Sequence, residues 1–563
     1  MVEEYSVAMD IGTSGIRAQA LKIEDNSTIS TTVTLRHPIP GANVMDHLHF
    51  AVNVGREPAH QLLMEAVNKV VDQLGVDKSK ITRFAVCGNP IQLSLFQDIE
   101  IRDLAFWGTN AVERLNIVPP KRNAQIIKPN DIGLDINPDA DVYIPPAIKH
   151  EIGADALAML YKSGIIGKEG IFLISDFGTN AEIALVIDGE IFSCSAAAGP
   201  AMEGQAIEEG MLASPGAISD LNPENGGWRN SVLNMDLKVD DCNIIDVKDG
   251  SIIEENHPET KAKGITGTGV IAAYSLGTEE GVISIPKINT PNQRVNLQDG
   301  VFLSEHDLTE IGKALGAFRA AHITLCVEAG ISLEDIDAVY MAGASGFYVD
   351  PYKALLVGQI PACSWDIYQI GNTSLAMALD IVKNPDLLQE LQEIADGMRG
   401  NHITLATSEI FEKIYGLELA MCEQNMPFWK YAEWVESYGY GEIPETEEAP
   451  EIHKLFESDI PNLGVNGLSI IEEVGTKIES DIEGCINCMT CVNECPEGAL
   501  SINDGHATIR SDYCNGIACQ RCQLACPTKV YDLEKMLYVK GDDAVTFLFI
   551  FFLFIFHILL FLF

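Results

Sequence analysis

The sequence is poor in basic side chains. Its 563 residues include 37 Lys and Arg against 81 Asp and Glu, which gives a formal net charge of -44. Recognition of nucleic-acid phosphates needs clustered Lys and Arg, so this deficit argues against a nucleic-acid binder. An acid-rich surface suited to a salty cytoplasm is the simpler interpretation, and docking to a basic partner is the alternative. The hydrophobic fraction of 47% excludes a mostly disordered chain.

Targeting features are also missing. The N-terminus has no basic segment followed by an apolar run, so we expect no secretory signal and a cytoplasmic protein. At the other end, residues 547–563 hold eight of the 21 phenylalanines and are interrupted only by His557. This run is at the short limit for a membrane span and lacks interfacial anchors, so we do not expect a membrane protein. Three explanations stay open: accidental extension or frame error, which we favour, a tail anchor, and a buried terminus.

Cysteine is scarce except in one segment. Eight of the 14 cysteines form two runs, Cys485-x2-Cys488-x2-Cys491-x3-Cys495-Pro496 and Cys514-x4-Cys519-x2-Cys522-x3-Cys526-Pro527. This is the ligand spacing of bacterial ferredoxins, in which the fourth Cys of a run binds the other cluster. We therefore predict two 4Fe-4S clusters. Their ligands would be Cys485, Cys488, Cys491 and Cys526 for one, and Cys514, Cys519, Cys522 and Cys495 for the other.

Two other uses of these cysteines fit less well. Disulfides are rare in a chain without an export signal, and structural zinc prefers paired C-x2-C units. The longer gap after Cys514 should not prevent ligation. Between the runs, Asp504-Gly505 predicts a β-hairpin. The remaining cysteines lack ligand spacing and are expected to be small buried residues: Cys87, Cys194, Cys242, Cys326, Cys363 and Cys422.

An internal repeat occurs in the first third of the chain. Residues 5–14 (YSVAMDIGTS) align with residues 172–180 (FLISDFGTN) at an offset of 166 residues. In both, an apolar strand runs into Asp-x-Gly-Thr, and a second strand follows the turn. We predict two similar α/β lobes, each opening with this hairpin.

The glycines and hydroxyls of these turns are suited to phosphate. Backbone N–H groups there can cradle phosphates, and an aspartate can hold Mg²⁺ through water or orient an attacking water. Gly343 and Gly346 follow an apolar strand and could pass close under a base or ribose. No Walker motif is present, and the run Gly264–Gly269 is interpreted as a tight turn rather than a dinucleotide fingerprint.

Changes in composition predict the domain limits. We expect a first lobe at 1–165, a second lobe at 166–420, an acidic linker at 421–475, a double-cluster ferredoxin domain at 476–540 and the apolar tail at 541–563. Within the second lobe, Asn384 and Pro385 are typical of an N-cap and a first helical residue.

This pattern resembles the actin/hexokinase/Hsp70-like ATPase superfamily, whose two lobes present Asp-Gly hairpins to ATP bound between them. The resemblance implies an α/β two-lobed fold plus a small α+β ferredoxin domain, with ATP and Mg²⁺ as ligands. Asp10 and Asp176 would act at Mg²⁺ or water. The residues that would contact the nucleotide are Gly12, Thr13, Ser14, Gly178, Thr179, Asn180, Gly343 and Gly346.

Further blocks, among them residues 176–183, 194–204 and 371–372, look like signatures of reductive activators of corrinoid proteins. The C-terminal double ferredoxin module is similar to that of methanogen activases that serve methylamine methyltransferase corrinoid proteins. The resemblance implies ATP-dependent reduction of Co(II) to Co(I), with electrons from an upstream low-potential donor. Three alternatives stay open: an electron-donating activator of a dehydratase or reductase, a sugar-type kinase fused to a ferredoxin, and an electron carrier without enzymatic activity.

Overall fold

The computed structural model describes residues 3–533 apart from 42, 107–108, 150–151, 179–180, 197–205, 257–259, 456–459, 461, 496 and 518. The apolar tail at 541–563 lies outside the described residues, as do Pro496 and most of the signature block at 194–204. Within the described part of the chain, no helix is both long enough and apolar enough to cross a membrane.

The strands, numbered in chain order, build two large sheets, an inserted sheet and smaller sheets. They are β1 (Tyr5–Ile11), β2 (Ile16–Lys22), β3 (Thr28–Thr34), β4 (Ile81–Gly88), β5 (Gln125–Ile127), β6 (Asp141–Ile144), β7 (Ile171–Phe177), β8 (Ala181–Ile187), β9 (Glu190–Ala196), β10 (Ala217–Glu224), β11 (Gly227–Leu233), β12 (Val239–Ile245), β13 (Ile252–Glu254), β14 (Gly264–Ile265), β15 (Ile283–Ser284), β16 (Lys287–Ile288), β17 (Arg294–Asn296), β18 (Phe302–Ser304), β19 (Ala338–Ala342), β20 (Asp366–Gly371), β21 (Arg399–His402), β22 (Glu451–Lys454), β23 (Leu468–Ile471), β24 (Lys477–Asp481), β25 (Leu500–Asn503) and β26 (His506–Arg510).

The helices lie between and around these strands, and the last two belong to the cysteine-rich segment. They are α1 (Val44–Val54), α2 (Arg56–Gln73), α3 (Pro90–Phe96), α4 (Arg102–Ala105), α5 (Thr109–Arg114), α6 (Ala154–Ser163), α7 (Gly267–Glu279), α8 (Glu305–Ala329), α9 (Gly343–Tyr348), α10 (Pro351–Leu356), α11 (Thr373–Lys383), α12 (Leu387–Gly397), α13 (Glu409–Gln424), α14 (Phe428–Ser437), α15 (Thr490–Asn493) and α16 (Arg521–Leu524).

The two large sheets repeat one arrangement, as the sequence repeat predicts. In the first sheet, ordered β23-β3-β2-β1-β4-β6-β5, the strand β1 lies between antiparallel β2 and parallel β4. In the second, ordered β21-β9-β8-β7-β19-β20-β22, the strand β7 lies between antiparallel β8 and parallel β19. The predicted two-lobed α/β architecture is confirmed.

The central position of β1 and β7 explains their apolar sequences. Val7, Ala8 and Met9 are fully buried, and so are Leu173 and Ile174. A strand that is covered on both faces reads as a continuous apolar run rather than an alternating one. Each strand therefore carries its aspartate out of the core at the point where the hairpin turns.

Helix α11 follows the second-lobe strands in sequence but packs against β1, β4 and α6 of the first lobe. Its apolar residues Leu375, Ala378 and Ile381 belong to the same core as Val7. The chain thus returns to the first lobe after residue 372, inside the range 166–420 assigned to the second lobe. The domain limits themselves stay predictions.

The stretch predicted as an acidic linker, residues 421–475, contributes a strand to each large sheet. β22 pairs in parallel with β20 of the second sheet, and β23 pairs in parallel with β3 of the first. Both strands extend a sheet at its edge. The stretch is therefore held along both lobes before it reaches the cysteine module.

The cysteine module is built on a small antiparallel sheet in the order β24-β26-β25. The predicted hairpin is present between β25 and β26, and Asp504 and Gly505 both have positive φ, 47° and 79°. Two left-handed residues produce the turn that suits the twist of a two-residue hairpin. Ala507 and Ile509 of β26 belong to the same apolar core as the first lobe, so the module packs on that lobe.

Candidate functional site

A cavity of about 230 Å³ lies between the two lobes, where the hairpins of both sheets turn. Most of the residues predicted to contact nucleotide line it: Asp10, Gly12, Thr13, Ser14, Asp176, Gly178 and Gly343. Thr179 and Asn180, predicted for the second turn, lie outside the described residues. The topology thus brings both turns of the repeat to one cleft.

Asp10 is fixed by a residue from the far half of the chain. Its side chain is 6% exposed, and Asn372 Nδ2 donates a hydrogen bond of 2.8 Å to its Oδ2. Arg17 NH1 lies 3.7 Å from the same oxygen. A buried carboxylate needs such partners because its desolvation is otherwise costly.

Gly343 lies directly against Asp176. Its φ is +81°, and a Cβ added there would be 2.2 Å from Asp176 Oδ1. Only glycine can bring the backbone this close. Gly346 does not line the cavity; a Cβ added there would be 2.9 Å from Phe177 Cδ2, so this glycine allows helix α9 to pack on β7.

Two further acidic residues that the sequence did not assign face the cavity, Asp155 and Glu182. Burial raises the pKa of Glu182 to about 8, and the charges of Asp155 and Asp176 add to the increase while a hydrogen bond from Ser195 opposes it. Burial also raises the pKa of Asp155 to about 6, with a contribution from the charge of Asp10. Glu182 lies within residues 176–183, one of the blocks that resemble reductive activators of corrinoid proteins. Asp155 follows Gly153-Ala154 at the start of an apolar helical pattern, which is only a weak signal.

The charge balance of the cleft fits a divalent cation. Among the described lining residues, Arg17 is the only Lys or Arg, whereas four are acidic: Asp10, Asp155, Asp176 and Glu182. Carboxylates that repel one another are the donor set that Mg²⁺ stabilises, together with the phosphates it accompanies.

Helix N-termini favour an anion in the same cleft. Asp155 and Ala156 of α6, Gly267 and Thr268 of α7, and Ser374 of α11 line the cavity, and each belongs to the first turn of its helix. The N–H groups and partial positive charge of such ends bind phosphate.

The run Gly264–Gly269, interpreted from sequence as a tight turn, contains the two residues of β14, then Thr266, then the start of α7. Thr266 is the N-cap, and its hydroxyl accepts a hydrogen bond of 3.1 Å from Gly269 N. The interpretation as a turn was therefore wrong, because the cap continues into a helix that the cleft uses.

The eight predicted cluster ligands separate into the predicted sets of four. Cys485, Cys488, Cys491 and Cys526 line one small cavity in the module, so the last cysteine of the second run does cross to the first. Thr490 Oγ1 donates to Cys488 Sγ at 3.3 Å and lowers the pKa of that thiol. Burial raises the pKa of Cys526, but hydrogen bonds from Thr528 and from backbone N–H groups lower it to about 7.

The second set lies where the module meets the first lobe. Burial raises the pKa of the Cys514 thiol to about 12, and the charges of Cys522, Cys495 and Cys519 add to this. These four side chains are therefore close neighbours, as the spacing predicts. Thiols that are grouped and partly buried in this way fit a group that binds them as thiolates.

Within the described residues, no three His, Cys, Asp or Glu side chains are grouped so that they could hold a single metal ion. The thiolates of a 4Fe-4S cluster each bind a different iron, so they need not converge on one point. Mg²⁺ commonly uses one or two carboxylates and completes its shell with water and phosphate.

Three family models match the chain. Residues 5–168 match the model described as RACo middle region, and residues 170–432 match the C-terminal domain of RACo, the ASKHA domain. Residues 484–530 match the 4Fe-4S dicluster domain.

Two curated relatives cover most of the sequence. The chain is 44% identical over 512 residues to Co(II) methylated amine-specific corrinoid protein reductase of Methanosarcina barkeri, which covers 90% of this chain and 94% of that protein. It is 26% identical over 431 residues to the corrinoid activation enzyme RamQ of Eubacterium limosum, covering 73% and 69%.

A solved structure, that of a reductive activator for corrinoid, iron–sulfur protein, has the same fold. Its TM-score is 0.59 at 22% identity, over 75% of this chain and 68% of that chain.

Proposed function

The chain belongs to the family of reductive activators of corrinoid proteins, and we propose that it reduces the inactive Co(II) form of methylamine methyltransferase corrinoid proteins to Co(I) in an ATP-dependent reaction. One observation carries the proposal most directly: the chain joins a two-lobed cleft with two Asp-Gly turns to a module in which eight cysteines form two sets of four. The name of the Methanosarcina barkeri relative supports a corrinoid protein specific for methylated amines as the substrate.

In the cleft, we assign phosphate binding to the turns and to the helix ends. Gly12, Thr13 and Ser14 would hold phosphates on the first lobe, and Gly178, Thr179 and Asn180 on the second. Asp10 and Asp176 would hold Mg²⁺ or orient the attacking water, with Glu182 and Asp155 as further acidic groups. Gly343 and Gly346 would place α9 beside the nucleoside. Contacts from both lobes let the nucleotide favour a closed cleft.

In the module, Cys485, Cys488, Cys491 and Cys526 would hold one 4Fe-4S cluster and Cys495, Cys514, Cys519 and Cys522 the other. When bound, the two clusters supply low-potential one-electron carriers that are loaded by an upstream donor. The cysteine side chains must be thiolates, which a reducing cytoplasm allows.

The need for ATP follows from the energetics of the substrate cobalt. One-electron transfer against a gap of 100 mV costs about 2.3 kcal/mol. A nucleotide that binds one conformation of the lobes more tightly can offset such a cost, provided that conformation also favours the Co(I) product.

The test is an anaerobic assay of Co(II) corrinoid proteins from the mono-, di- and trimethylamine systems, followed through the cobalt absorption spectrum. We expect conversion to Co(I) with reductant and ATP together, and no conversion with reductant alone. An unrelated corrinoid protein is the control for specificity. Equal reduction with and without ATP, or reduction of the unrelated protein alone, would refute the proposal.

A further inference from the structure

One segment of the first lobe contacts both the nucleotide cleft and the second set of cysteines. This segment, residues 34–41, begins at the last residue of β3 and is called the strap below. Its first residues, Thr34 and Leu35, line the cleft. Its later residues contact the module beside Cys495 and Cys514.

At the cleft, the strap is packed against the first phosphate turn without a gap. A Cβ added to Gly15 would lie 2.7 Å from Thr34 O. The Thr34 hydroxyl accepts from Ile16 N and donates to Arg36 O, both at 2.8 Å. Close-packed groups transmit a displacement rather than absorb it, so a shift of the turn must move Thr34 and Arg36.

At the module, Arg36 contacts the neighbours of two predicted cluster ligands. Both of its terminal nitrogens donate to Glu497 Oε2 at 3.3 Å, and Glu497 is two residues beyond Cys495. Its guanidinium also lies 4.1 Å from the centre of the Tyr513 ring, next to Cys514 in the chain. Arg36 and Glu497 are 29% and 30% exposed, so solvent screens the pair only in part.

The end of the strap is bonded to a cluster ligand itself. Gly41 N donates a hydrogen bond of 2.9 Å to the carbonyl oxygen of Cys514. A Cβ added to Gly516 would be 3.3 Å from Gly41 Cα, so the two backbones are in direct contact.

A separate series of contacts reaches Gly41 from the phosphate turn. Asn89 Nδ2 donates to Thr13 Oγ1 at 3.4 Å, and Asn89 Oδ1 accepts from Gln92 N at 3.0 Å. Gln92 Nε2 lies 2.8 Å from Nδ1 of His47, a buried side chain. A Cβ added to Gly41 would be 2.9 Å from His47 Cδ2. Two series of contacts therefore connect the first phosphate turn with the part of the module around Cys514.

We propose that the strap couples nucleotide binding in the cleft to the reduction potential of the cluster held by Cys495, Cys514, Cys519 and Cys522, with Arg36 as the positioning residue. The proposal rests on the function proposed above, that the cleft binds nucleotide and this set of cysteines binds a cluster. Hydrogen bonds and charges around cluster thiolates set the potential, and Arg36 and Gly41 supply both kinds of contact. Coupling is reciprocal, so reduction of this cluster must also change nucleotide affinity.

The experiment is a redox titration of the complete, cluster-loaded protein, followed by electron paramagnetic resonance without corrinoid protein. It is run with and without a non-hydrolysable ATP analogue and Mg²⁺. We expect one of the two clusters to change potential, and nucleotide affinity measured by calorimetry to differ about tenfold between the oxidised and reduced protein. A tenfold difference corresponds to a shift of about 59 mV for a one-electron couple.

Arg36→Gln should retain iron and nucleotide binding. The nucleotide affinities of its oxidised and reduced forms should differ by less than about twofold. Glu497→Gln removes the ion pair from the module side and should do the same, and Arg36→Lys should have an intermediate effect. Arg510→Gln is the matched control, because Arg510 lies 3.9 Å from the same Tyr513 ring but pairs with Glu473 and Asp512 rather than with the strap. It should keep the full nucleotide-dependent shift.

Hydrogen exchange of the wild-type protein gives a second readout that needs no variant. Nucleotide should increase protection in peptides covering residues 34–41 and 510–517 together. The proposal is overturned if wild-type protein binds nucleotide, holds both clusters and reduces Co(II) but shows neither shift nor protection at 510–517. It is also overturned if Arg36→Gln and Glu497→Gln shift as the wild type does. Failure of the wild type to bind nucleotide or clusters would instead refute the proposed function.

Discussion

Asn372 and Asp10 are 362 positions apart in the sequence and are joined by a hydrogen bond of 2.8 Å in the cleft. The same amide group caps helix α11, since Asn372 Oδ1 accepts from Leu375 N at 2.8 Å. One side chain thus orients the Asp10 carboxylate and starts the helix that returns to the first lobe. The geometry of the site therefore depends on the packing of distant parts of the chain.

Replacement of Asn372 by Ala should affect both functions. We expect a loss of about 1 kcal/mol of stability from the missing cap. We also expect nucleotide affinity to fall about tenfold because Asp10 loses its orienting donor. Ser408→Ala is the control: Ser408 caps α13, and its hydroxyl accepts from Phe411 N. That variant should lose similar stability and bind nucleotide normally in calorimetry. Unchanged affinity in Asn372→Ala would contradict the assignment.

Replacement of Gly343 by Ala should weaken nucleotide binding. The new Cβ would lie 2.2 Å from Asp176 Oδ1, so the carboxylate or α9 must move. Overpacking of this kind costs about 1–3 kcal/mol, and we expect at least a tenfold loss of affinity. Gly330→Ala is the control: Gly330 has a similar φ, +73°, but a Cβ added there would have nothing within 4 Å. This variant therefore has the backbone strain without the clash. Comparable losses of affinity in both variants would show that contact with Asp176 is not the cause.

The stability of the nucleotide-free protein should depend on Glu182. Its folded-state pKa of about 8 exceeds the ordinary value of 4.5, so folding favours the protonated form. The resulting stability is present below about pH 4.5 and is lost as pH rises towards about 8. Glu182→Gln should remove this loss from the pH dependence of the unfolding free energy, whereas Glu190→Gln, at an exposed position of β9, should not. A wild-type curve that is flat over this range would contradict the prediction.

Cys526 belongs to the second cysteine run, but Cys526→Ser should remove the cluster held by the first run. The Cys526 side chain shares a cavity with Cys485, Cys488 and Cys491. Iron analysis should give about four irons instead of about eight, and one of the two cluster signals should disappear. Cys363→Ser is the control, since Cys363 lies outside the module and donates to Leu333 O. Full iron content in Cys526→Ser would mean that the runs do not exchange their fourth ligands.

An ion pair with one fully buried partner holds helices α8 and α13 together. Arg319 NH2 lies 2.5 Å from Glu418 Oε2; the Glu418 side chain is fully buried and the Arg319 side chain is 30% exposed. Glu418→Gln leaves the guanidinium without its counter-charge and should cost about 3–5 kcal/mol of unfolding free energy. The pair Lys313–Glu423 joins the same helices at 3.6 Å but is 35% and 44% exposed, so Glu423→Gln should cost about 0–1 kcal/mol. Equal costs would show that burial does not decide the effect.

Local patterns were sufficient to predict the repeat, the hairpins and the cysteine sets. The strands before Asp10 and Asp176 are continuous apolar runs because they are central strands, and a turn with glycine follows each. The cluster cysteines follow a spacing that chemistry imposes. For each hairpin and each cysteine run, the cause of the local structure lies within about 20 consecutive residues.

Elements that depend on distant partners were missed. Helix α7 begins in a glycine-rich run of low helix propensity, and its start at Thr266 depends on packing against β10. Asp155 lies in a first helical turn, where acidic residues are common for reasons unrelated to catalysis. Strands β22 and β23 become strands only by pairing with sheets that are remote in sequence.

One predicted helix start was also displaced. Asn384 is the C-cap of α11 rather than an N-cap, and the next helix begins at Leu387. Asn384 N bonds to Asp380 O at 2.8 Å, so the residue closes one helix before Pro385 can open another. Asn occurs both as an N-cap and as a C-cap. The sequence around Asn384 alone therefore does not show whether this residue begins one helix or ends another.

The most direct test of the account is the rate of Co(II) corrinoid reduction by Asp10→Asn compared with wild type, at equal iron content and with saturating reductant and ATP. The Asn side chain keeps the shape of the Asp10 site but removes the charge that would hold Mg²⁺ or orient water. We expect the ATP-dependent rate to fall about 100-fold or more while both cluster signals stay intact. A native rate with intact clusters would show that the cleft does not drive the reduction.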